Sequence, residues 1–226
     1  MSNPGFRIKT NFTRPPAELV QSFAGLPVAN IGDNMNRLSC MNSRIIPLNQ
    51  APLIGCAFTV KVRAGDNLLF HKAIDLAQPG DVIVIDAQGE HSYSIFGELM
   101  VQWCRKRGLN GLVADGCIRD SDYMRRLTDF PVYAVGINPN GPLKEGGGEI
   151  NFPIMCGGIV VKPGDIIVGD ADGVVVIDSV DAPEIARKAK SQNEKENQIM
   201  EGIEHLKWDR AWVDAVLKAK GCEFVD

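Results

Sequence analysis

The chain has 226 residues, enough to bury one large core with or without a helical extension. Hydrophobic residues make up 45% and charged residues 23%, the balance of a globular protein rather than a disordered one. A net charge of −4 gives no overall basic field for nucleic acid or an anionic membrane, yet leaves room for a local pocket that takes one small dianion.

In chain order, Ala17 to Phe23 has helical spacing and stops near Gly25 and Pro27, and a second short helix is expected over Asn30 to Arg37. Cys56 to Val62 reads as a strand. Leu68 to Ala77 has helical periodicity closed by Pro79-Gly80, and Asp81 to Asp86 is apolar enough for a buried strand. Gly97 to Arg107 places Leu99, Met100, Trp103 and Cys104 on one helical face, with Arg105, Lys106 and Arg107 in the last turn, where cations suit the dipole. After Gly108 come a strand from Gly111 to Asp115, a Gly116-Cys117 turn, a helix from about Arg119 to Leu127, and a strand from Phe130 to Val135. This alternation predicts crossovers over a largely parallel sheet. Asn138 to Phe152 is rich in Gly, Pro and Asn and is expected to be a long loop, functional or mobile. Short strands at Gly157–Val161, Asp165–Gly169 and Gly173–Asp178 predict a sheet layer beyond the parallel one. Ala182 to Glu204 reads as a charged helix.

The six cysteines are scattered with no C-x-x-C pair, so zinc-ribbon and thioredoxin-like motifs are not expected. Residues 1–16 are polar without an apolar h-region, and no apolar run approaches the ~20 residues of a membrane span. A cytoplasmic protein with reduced thiols is the expectation.

The chemistry is expected where Asp115-Gly116-Cys117-Ile118-Arg119-Asp120 leaves a buried strand, because ligands of open α/β sheets bind at strand carboxyl ends. An arginine in the first turn of a helix sits at an already positive end, a mismatch that a bound anion would offset. Asp120 offers a hard oxygen ligand for a divalent cation. The same two residues also read as surface ion pairs and a helix cap. Glu98, in the first turn of the preceding helix, is either a dipole partner or a second acid on the same site, with the free N–H groups of Leu99 and Met100 beside it.

Several stretches carry a resemblance: Gly55 to Val60, Gly65-Asp66-Asn67-Leu68, Pro79 to Val82, Gly97-Glu98-Leu99-Met100, Gly108 to Asp120, and Pro163-Gly164-Asp165 through Val175. In these the chain resembles the 4-hydroxy-4-methyl-2-oxoglutarate/4-carboxy-4-hydroxy-2-oxoadipate aldolases, within the wider group that includes the RraA-like regulator of ribonuclease E. The resemblance runs from about Pro16 to Glu204. It implies an α/β fold, a layered β/β/α arrangement like a swivelling phosphohistidine domain, over residues 1–180. Residues 181–226 would form a helical tail packing on a neighbouring subunit of a homotrimer or homohexamer. It further implies a Mg²⁺- or Mn²⁺-dependent class II pyruvate aldolase acting on small 4-hydroxy-2-oxo acids, with oxaloacetate decarboxylation as a side activity. Asp120 would bind the metal directly. Glu98 would hold it through water, as would Glu194 of a neighbouring subunit, with Glu196 the alternative. Arg119 would bind the pyruvyl group, and the backbone of Gly97, Leu99 and Met100 the substrate oxygens. Tyr123 stands where relatives often carry a carboxylate. The alternative is a non-catalytic regulator that binds a ribonuclease; the acids Asp115 and Asp120 favour catalysis. A methyltransferase reading lacks a glycine-rich nucleotide loop opening a first βα unit.

Weaker signals have plainer explanations. His71 could line a pocket but fits equally as a surface group, and His91 fits a solvated loop. His205 has nothing to distinguish it, and Gly146-Gly147-Gly148 lacks the lysine and strand-to-helix context of a phosphate loop. Cys117 has no base placed beside it by the sequence and reads as a packing residue.

Overall fold

Strands covered on both faces must be apolar throughout, whereas their helical covers need only one apolar stripe, and this contrast organises the molecule. The computed structural model describes residues 3–225. The elements are β1 (Phe6–Ile8), α1 (Ala17–Gln21), α2 (Val28–Asp33), β2 (Ile46–Pro47), β3 (Leu53–Val62), α3 (Leu68–Leu76), β4 (Asp81–Ser94), α4 (Glu98–Lys106) and β5 (Gly111–Ile118). They continue with α5 (Ser121–Arg125), β6 (Val132–Ile137), β7 (Gly148–Ile150), β8 (Ile154–Cys156), β9 (Ile159–Val161), β10 (Ile166–Asp170), β11 (Gly173–Ile177), α6 (Ala182–Glu204) and α7 (Ala211–Ala219). A larger unit ends at Ala189 and a smaller one begins at Lys190.

In the larger unit β3, β4, β5 and β6 lie side by side and parallel, joined in turn by α3, α4 and α5, as the alternating pattern predicts. Period-2 alternation sends Ile83, Ile85, Leu112, Ala114 and Ile118 to the helical face, where they meet Phe70, Val101, Cys104 and Met124. The other face carries Val82, Val84 and Val113 against Ile154, Cys156 and Val161 of the antiparallel β8–β9 pair, and against Ile167 and Val176. A third core joins Phe23, Val28 and Ile31 to Val168, Val175 and Ile177, covered by Ala182 and Ala186 at the start of α6. The result is the layered α/β arrangement expected of the sequence.

Three expectations about the sheet need revision. Among the late strands only β8–β9 stands apart; β10 pairs antiparallel with the first residues of β3, so β10–β11 continues the main sheet. Ten-residue β3 achieves this by changing partner along one edge, from β10 at Leu53–Cys56 to β7 at Val60–Val62, while β4 pairs along the other edge. β4 runs past Asp86 to Ser94 through left-handed Gln88 and Gly89, which places His91 on a strand rather than in a loop. Within the expected loop from Asn138 to Phe152, residues Gly148–Ile150 pair with both β1 and β3.

Candidate functional site

Parallel strands with α-helical crossovers bring the amino-terminal ends of α4 and α5 to one edge of the sheet. β5 ends at Ile118, the chain bends at Arg119, and α5 begins only at Ser121. The expected helix from Arg119 is therefore shorter. Arg119 precedes it, so the dipole-mismatch argument does not apply to this residue. Asp120 holds a left-handed conformation, φ 57° and ψ 39°, and its side chain does not cap its own five-residue helix. It serves the neighbouring helix instead, since its Oδ2 accepts the Glu98 N–H at 2.9 Å. Two backbone bonds fix this crossing: Ile95 N–H to Cys117 O at 2.8 Å and Arg119 N–H to Phe96 O at 3.0 Å.

Gly97 lies in the crease. Its backbone is extended at φ −142°, open to any residue, so conformation does not require glycine there. Space does: a Cβ at Gly97 would sit 2.2 Å from Asp120 Oδ2, 3.0 Å from Arg119 Cγ and 3.2 Å from Arg119 Nε. The Arg119 side chain continues to Gly141, whose Cβ position is 3.1 Å from Nη1.

These groups border a cavity of about 200 Å³ whose wall includes Gly97, Leu99, Met100, Arg119 and Asp120, together with Asn67, His71, Phe96, Pro142 and Lys144. Of the expected site residues, Glu98 contributes backbone but not wall: its carboxylate accepts Gln102 Nε2 at 2.7 Å along α4. Leu99 and Met100 occupy the second and third positions of α4, where helix geometry leaves N–H groups without carbonyl partners. Glu194 and Glu196 lie in the smaller unit, Glu194 exposed and Glu196 accepting from Gln192 at 2.9 Å.

Cations prevail on this wall. Neither Arg119 nor Lys144 has an ion-pair partner among the described residues, and Asp120 is the single carboxylate. Burial and then the nearby Lys144 push His71 below the ordinary histidine range, which favours the neutral ring. Asn67 is 2% exposed; its Nδ2 donates to Ile95 O at 2.8 Å, and its buried Oδ1 has no partner. Asn67 and Lys144 were not singled out from the sequence. Asn67 sits inside the Gly65-Asp66-Asn67-Leu68 stretch, which was a usable signal; Lys144 lies in a loop whose course only the fold reveals.

Asp115 does not belong to this site. By strand alternation it shares the face of Val113, beneath the β8–β9 pair, opposite Ile118. It is 2% exposed, bound by Arg44 Nε at 3.1 Å and Nη2 at 2.6 Å, and accepts the Gly157 N–H at 2.9 Å. Its role is structural, so it carries no weight in favour of catalysis. A base does lie near Cys117, with His91 Nδ1 3.8 Å from the sulfur, but burial and the neighbouring Glu90 raise the thiol pKa and keep it protonated. All six cysteines are unpaired.

No cluster of three or more His, Cys, Asp or Glu side chains suited to a metal occurs among the described residues. That argues against a closed protein cage of the zinc type. A single exposed carboxylate facing a cavity does suit Mg²⁺ or Mn²⁺, which bind through one or two carboxylates and complete their shell with water and substrate oxygens. Among the described residues, no helix is long and apolar enough to cross a membrane.

Comparison with known proteins adds the following. The family described as RraA-like, Aldolase/RraA, matches residues 28–176. A Halalkalibacterium halodurans protein named "Putative 4-hydroxy-4-methyl-2-oxoglutarate aldolase" is 41% identical over 176 residues, 77% of this chain and 83% of that relative. Streptomyces coelicolor RraAS2, described as an unusual member of the RNase ES inhibitor RraA family, superposes with a TM-score of 0.72 at 28% identity, over 83% of this chain and 98% of that one. A Geobacillus kaustophilus structure titled S-adenosylmethionine: 2-dimethylmenaquinone methyltransferase gives 0.63 at 30% identity, over 67% and 94%. Three different activities appear in these names, so the choice among them falls to the site.

Proposed function

The chain belongs to the RraA-like family, and from that premise we propose that it is a divalent-metal-dependent class II pyruvate aldolase. In this reading it cleaves 4-hydroxy-2-oxo acids of the 4-hydroxy-4-methyl-2-oxoglutarate type to pyruvate and a second oxo acid, and decarboxylates oxaloacetate as a side reaction. The observation that carries the reading is the packing of Arg119 and Asp120 together against Gly97, on a cavity where cations outnumber carboxylates. A methyl donor's adenosine has no glycine-rich βα turn to receive it.

Both proposed reactions leave pyruvate enolate, so negative charge grows on the 2-oxo oxygen as the carbon–carbon bond breaks. Arg119, whose side chain runs past Gly97 to Gly141, binds the carboxylate end of the substrate and adds positive potential there. The amino-terminal N–H groups at Leu99 and Met100 receive the remaining oxygens. Asp120 would hold Mg²⁺ or Mn²⁺, with Glu98 and Glu194 of the partner subunit acting through water; when bound, the ion supplies Lewis-acid charge. The 4-hydroxyl proton passes to a water held by Glu98, whose carboxylate has to release Gln102 to serve. The reading places this site at a subunit boundary of a homotrimer or homohexamer.

The test is pyruvate release from 4-hydroxy-4-methyl-2-oxoglutarate and from oxaloacetate, coupled to lactate dehydrogenase, with Mg²⁺ and with EDTA. Chelator-sensitive release is expected, and Arg119→Ala should lower it ~100-fold or more while keeping a cooperative melt. A folded wild-type protein that releases no pyruvate from either acid with Mg²⁺ present removes the reading. The likeness to RraAS2 would then direct the next experiment to ribonuclease binding.

A further inference from the structure

We infer that Asp66 is a positioning residue for Arg119: its buried carboxylate holds the loop from Asn140 to Gly146 where Gly141 lies against the guanidinium. The inference rests on the aldolase reading for what Arg119 does, and adds what keeps that side chain in place.

Arg119 depends on its surroundings because no polar partner orients it. Its guanidinium has neither an ion pair nor a hydrogen bond among the described residues. What lies beside it is glycine backbone. The Cβ position of Gly141 is 3.1 Å from Nη1 and 4.0 Å from Cζ, and the Cβ position of Gly97 is 3.2 Å from Nε. Gly97 leads into α4, whose Val101 and Cys104 are buried in the core, whereas Gly141 sits in an exposed stretch of loop. The charged end of Arg119 is therefore placed only as well as that loop is.

Two ties bracket Gly141 and Pro142. Before them, Asn140 O accepts both the N–H and the hydroxyl of buried Ser94, at 2.8 and 2.7 Å, and Asn140 Nδ2 donates to Ser92 O at 3.0 Å. After them, Leu143 donates its N–H to Gly65 O at 2.8 Å and accepts the Asn67 N–H at 3.0 Å.

Asp66 stands in the middle of this second tie. It is 1% exposed, and its two oxygens serve different segments. Oδ1 accepts the Leu68 N–H at 2.8 Å, where α3 begins. Oδ2 accepts the N–H groups of Glu145 at 2.5 Å and Gly146 at 3.0 Å, in the loop. Bonds to an ionised carboxylate are about twice as strong as neutral ones. Both oxygens are needed. Asparagine has one acceptor oxygen, so it could serve α3 or the loop and would turn an NH₂ toward the other donors. Asp66→Asn thus cuts the tie without changing the size of the side chain.

The competing account is that Asp66 folds the loop with no bearing on Arg119, and a double-mutant cycle separates the two. Pyruvate release from 4-hydroxy-4-methyl-2-oxoglutarate with Mg²⁺ is measured for wild type, Asp66→Asn, Arg119→Ala and the double variant, resolving kcat and KM per folded molecule, beside urea unfolding of each. Asp66→Asn should lower kcat/KM about tenfold in the wild-type background, within the ~10²-fold that a ~1 Å misplacement can cost. With Arg119 already alanine the same change should cost less than about twofold, while the loss of stability is the same in both backgrounds. If Asp66→Asn does not fold, Ser94→Ala takes its place in the cycle; it removes one bond from the other tie and should show a smaller loss with the same dependence on Arg119. An equal loss of rate in both backgrounds overturns the assignment, as does unchanged kcat/KM in the folded variant. In both of those cases wild type still releases pyruvate and Arg119→Ala still fails to, so the aldolase reading stands. Wild type without pyruvate release, or full release by Arg119→Ala, removes that reading and this one with it.

Discussion

Replacing Gly97 by alanine changes neither Arg119 nor Asp120, yet it should disable both. The new methyl would lie 2.2 Å from Asp120 Oδ2, against an ordinary van der Waals contact of 3.4 Å or more, and 3.0 Å from Arg119 Cγ. Asp120 must therefore retreat by on the order of 1 Å, a displacement that can cost ~10²-fold in rate when reacting groups are held by geometry. Stability should respond differently. At φ −142° alanine is unstrained and restricts the unfolded chain, worth about 0.4–1 kcal/mol in favour of folding. Loss of the Glu98 N–H to Asp120 bond removes about 1–2 kcal/mol, so the net change is on the order of 1 kcal/mol. The assay is kcat/KM for pyruvate release beside urea unfolding of the same preparation. Gly141→Ala is the graded comparison: its methyl meets only the flexible end of Arg119, at 3.1 Å, and should cost less than about tenfold. Wild-type turnover in Gly97→Ala would show that Arg119 and Asp120 do not act from this crease, and the site assignment would have to be abandoned.

Two further perturbations address groups outside the site. Arg44→Met leaves buried Asp115 with the Gly157 N–H as its remaining hydrogen-bond donor; because Arg44 is itself half exposed, the loss should be about 2–3 kcal/mol, below that of a fully buried pair. Urea unfolding measures it, and activity per folded molecule should stay within about twofold if Asp115 is structural. Burial pushes Asp165 up to about 6, against the Lys162 N–H that it accepts. A folded-state value above the unfolded one means that the protonated form favours folding; this contribution is complete below about pH 4 and is lost as pH rises through about 6. Asp165→Asn, which keeps an acceptor for Lys162, should therefore raise the melting temperature at pH 7.5 and not at pH 4, by an amount equivalent to at most about 3 kcal/mol. Equal effects at the two pH values would rule out this titration.

Local periodicity carried much of the fold. Leu68 to Ala77 and Gly97 to Arg107 were legible as helices because apolar residues recur on one face, and the observed spans differ by a residue or so. The parallel order of β3 to β6 followed from the crossovers between them. Pairing across long separations was not legible. Nothing local to Ile166–Asp170 says that it will bond to the first half of β3 rather than start a new sheet, since both arrangements bury the same apolar residues. The site shows the same division. The segment from Asp115 to Asp120 drew attention as a strand end, but alternation turns Asp115 under the β8–β9 pair, and a left-handed residue ends the strand before α5 begins. Lys144 joins the cavity only because Asp66, far away in sequence, gathers the loop that carries it.

The left-handed turn at Asp120 also allows its two readings, cap and ligand, to be separated. A left-handed φ suits asparagine at least as well as aspartate, whereas alanine there costs ~1–2 kcal/mol. Asp120→Asn keeps an oxygen for the Glu98 N–H and adds no bulk near Gly97, so as a cap it should be nearly silent, within about 0.5 kcal/mol of wild type in urea unfolding. What it removes is negative charge on the cavity wall. If Asp120 holds a divalent cation, Asp120→Asn should lose ~100-fold or more in pyruvate release and shift Mg²⁺ activation to higher concentration, while its unfolding curve overlays that of wild type. Asp120→Ala would lose both activity and stability, and by itself cannot tell the two roles apart. Full turnover in Asp120→Asn at the wild-type Mg²⁺ requirement would make this carboxylate a cap for α4 and nothing more.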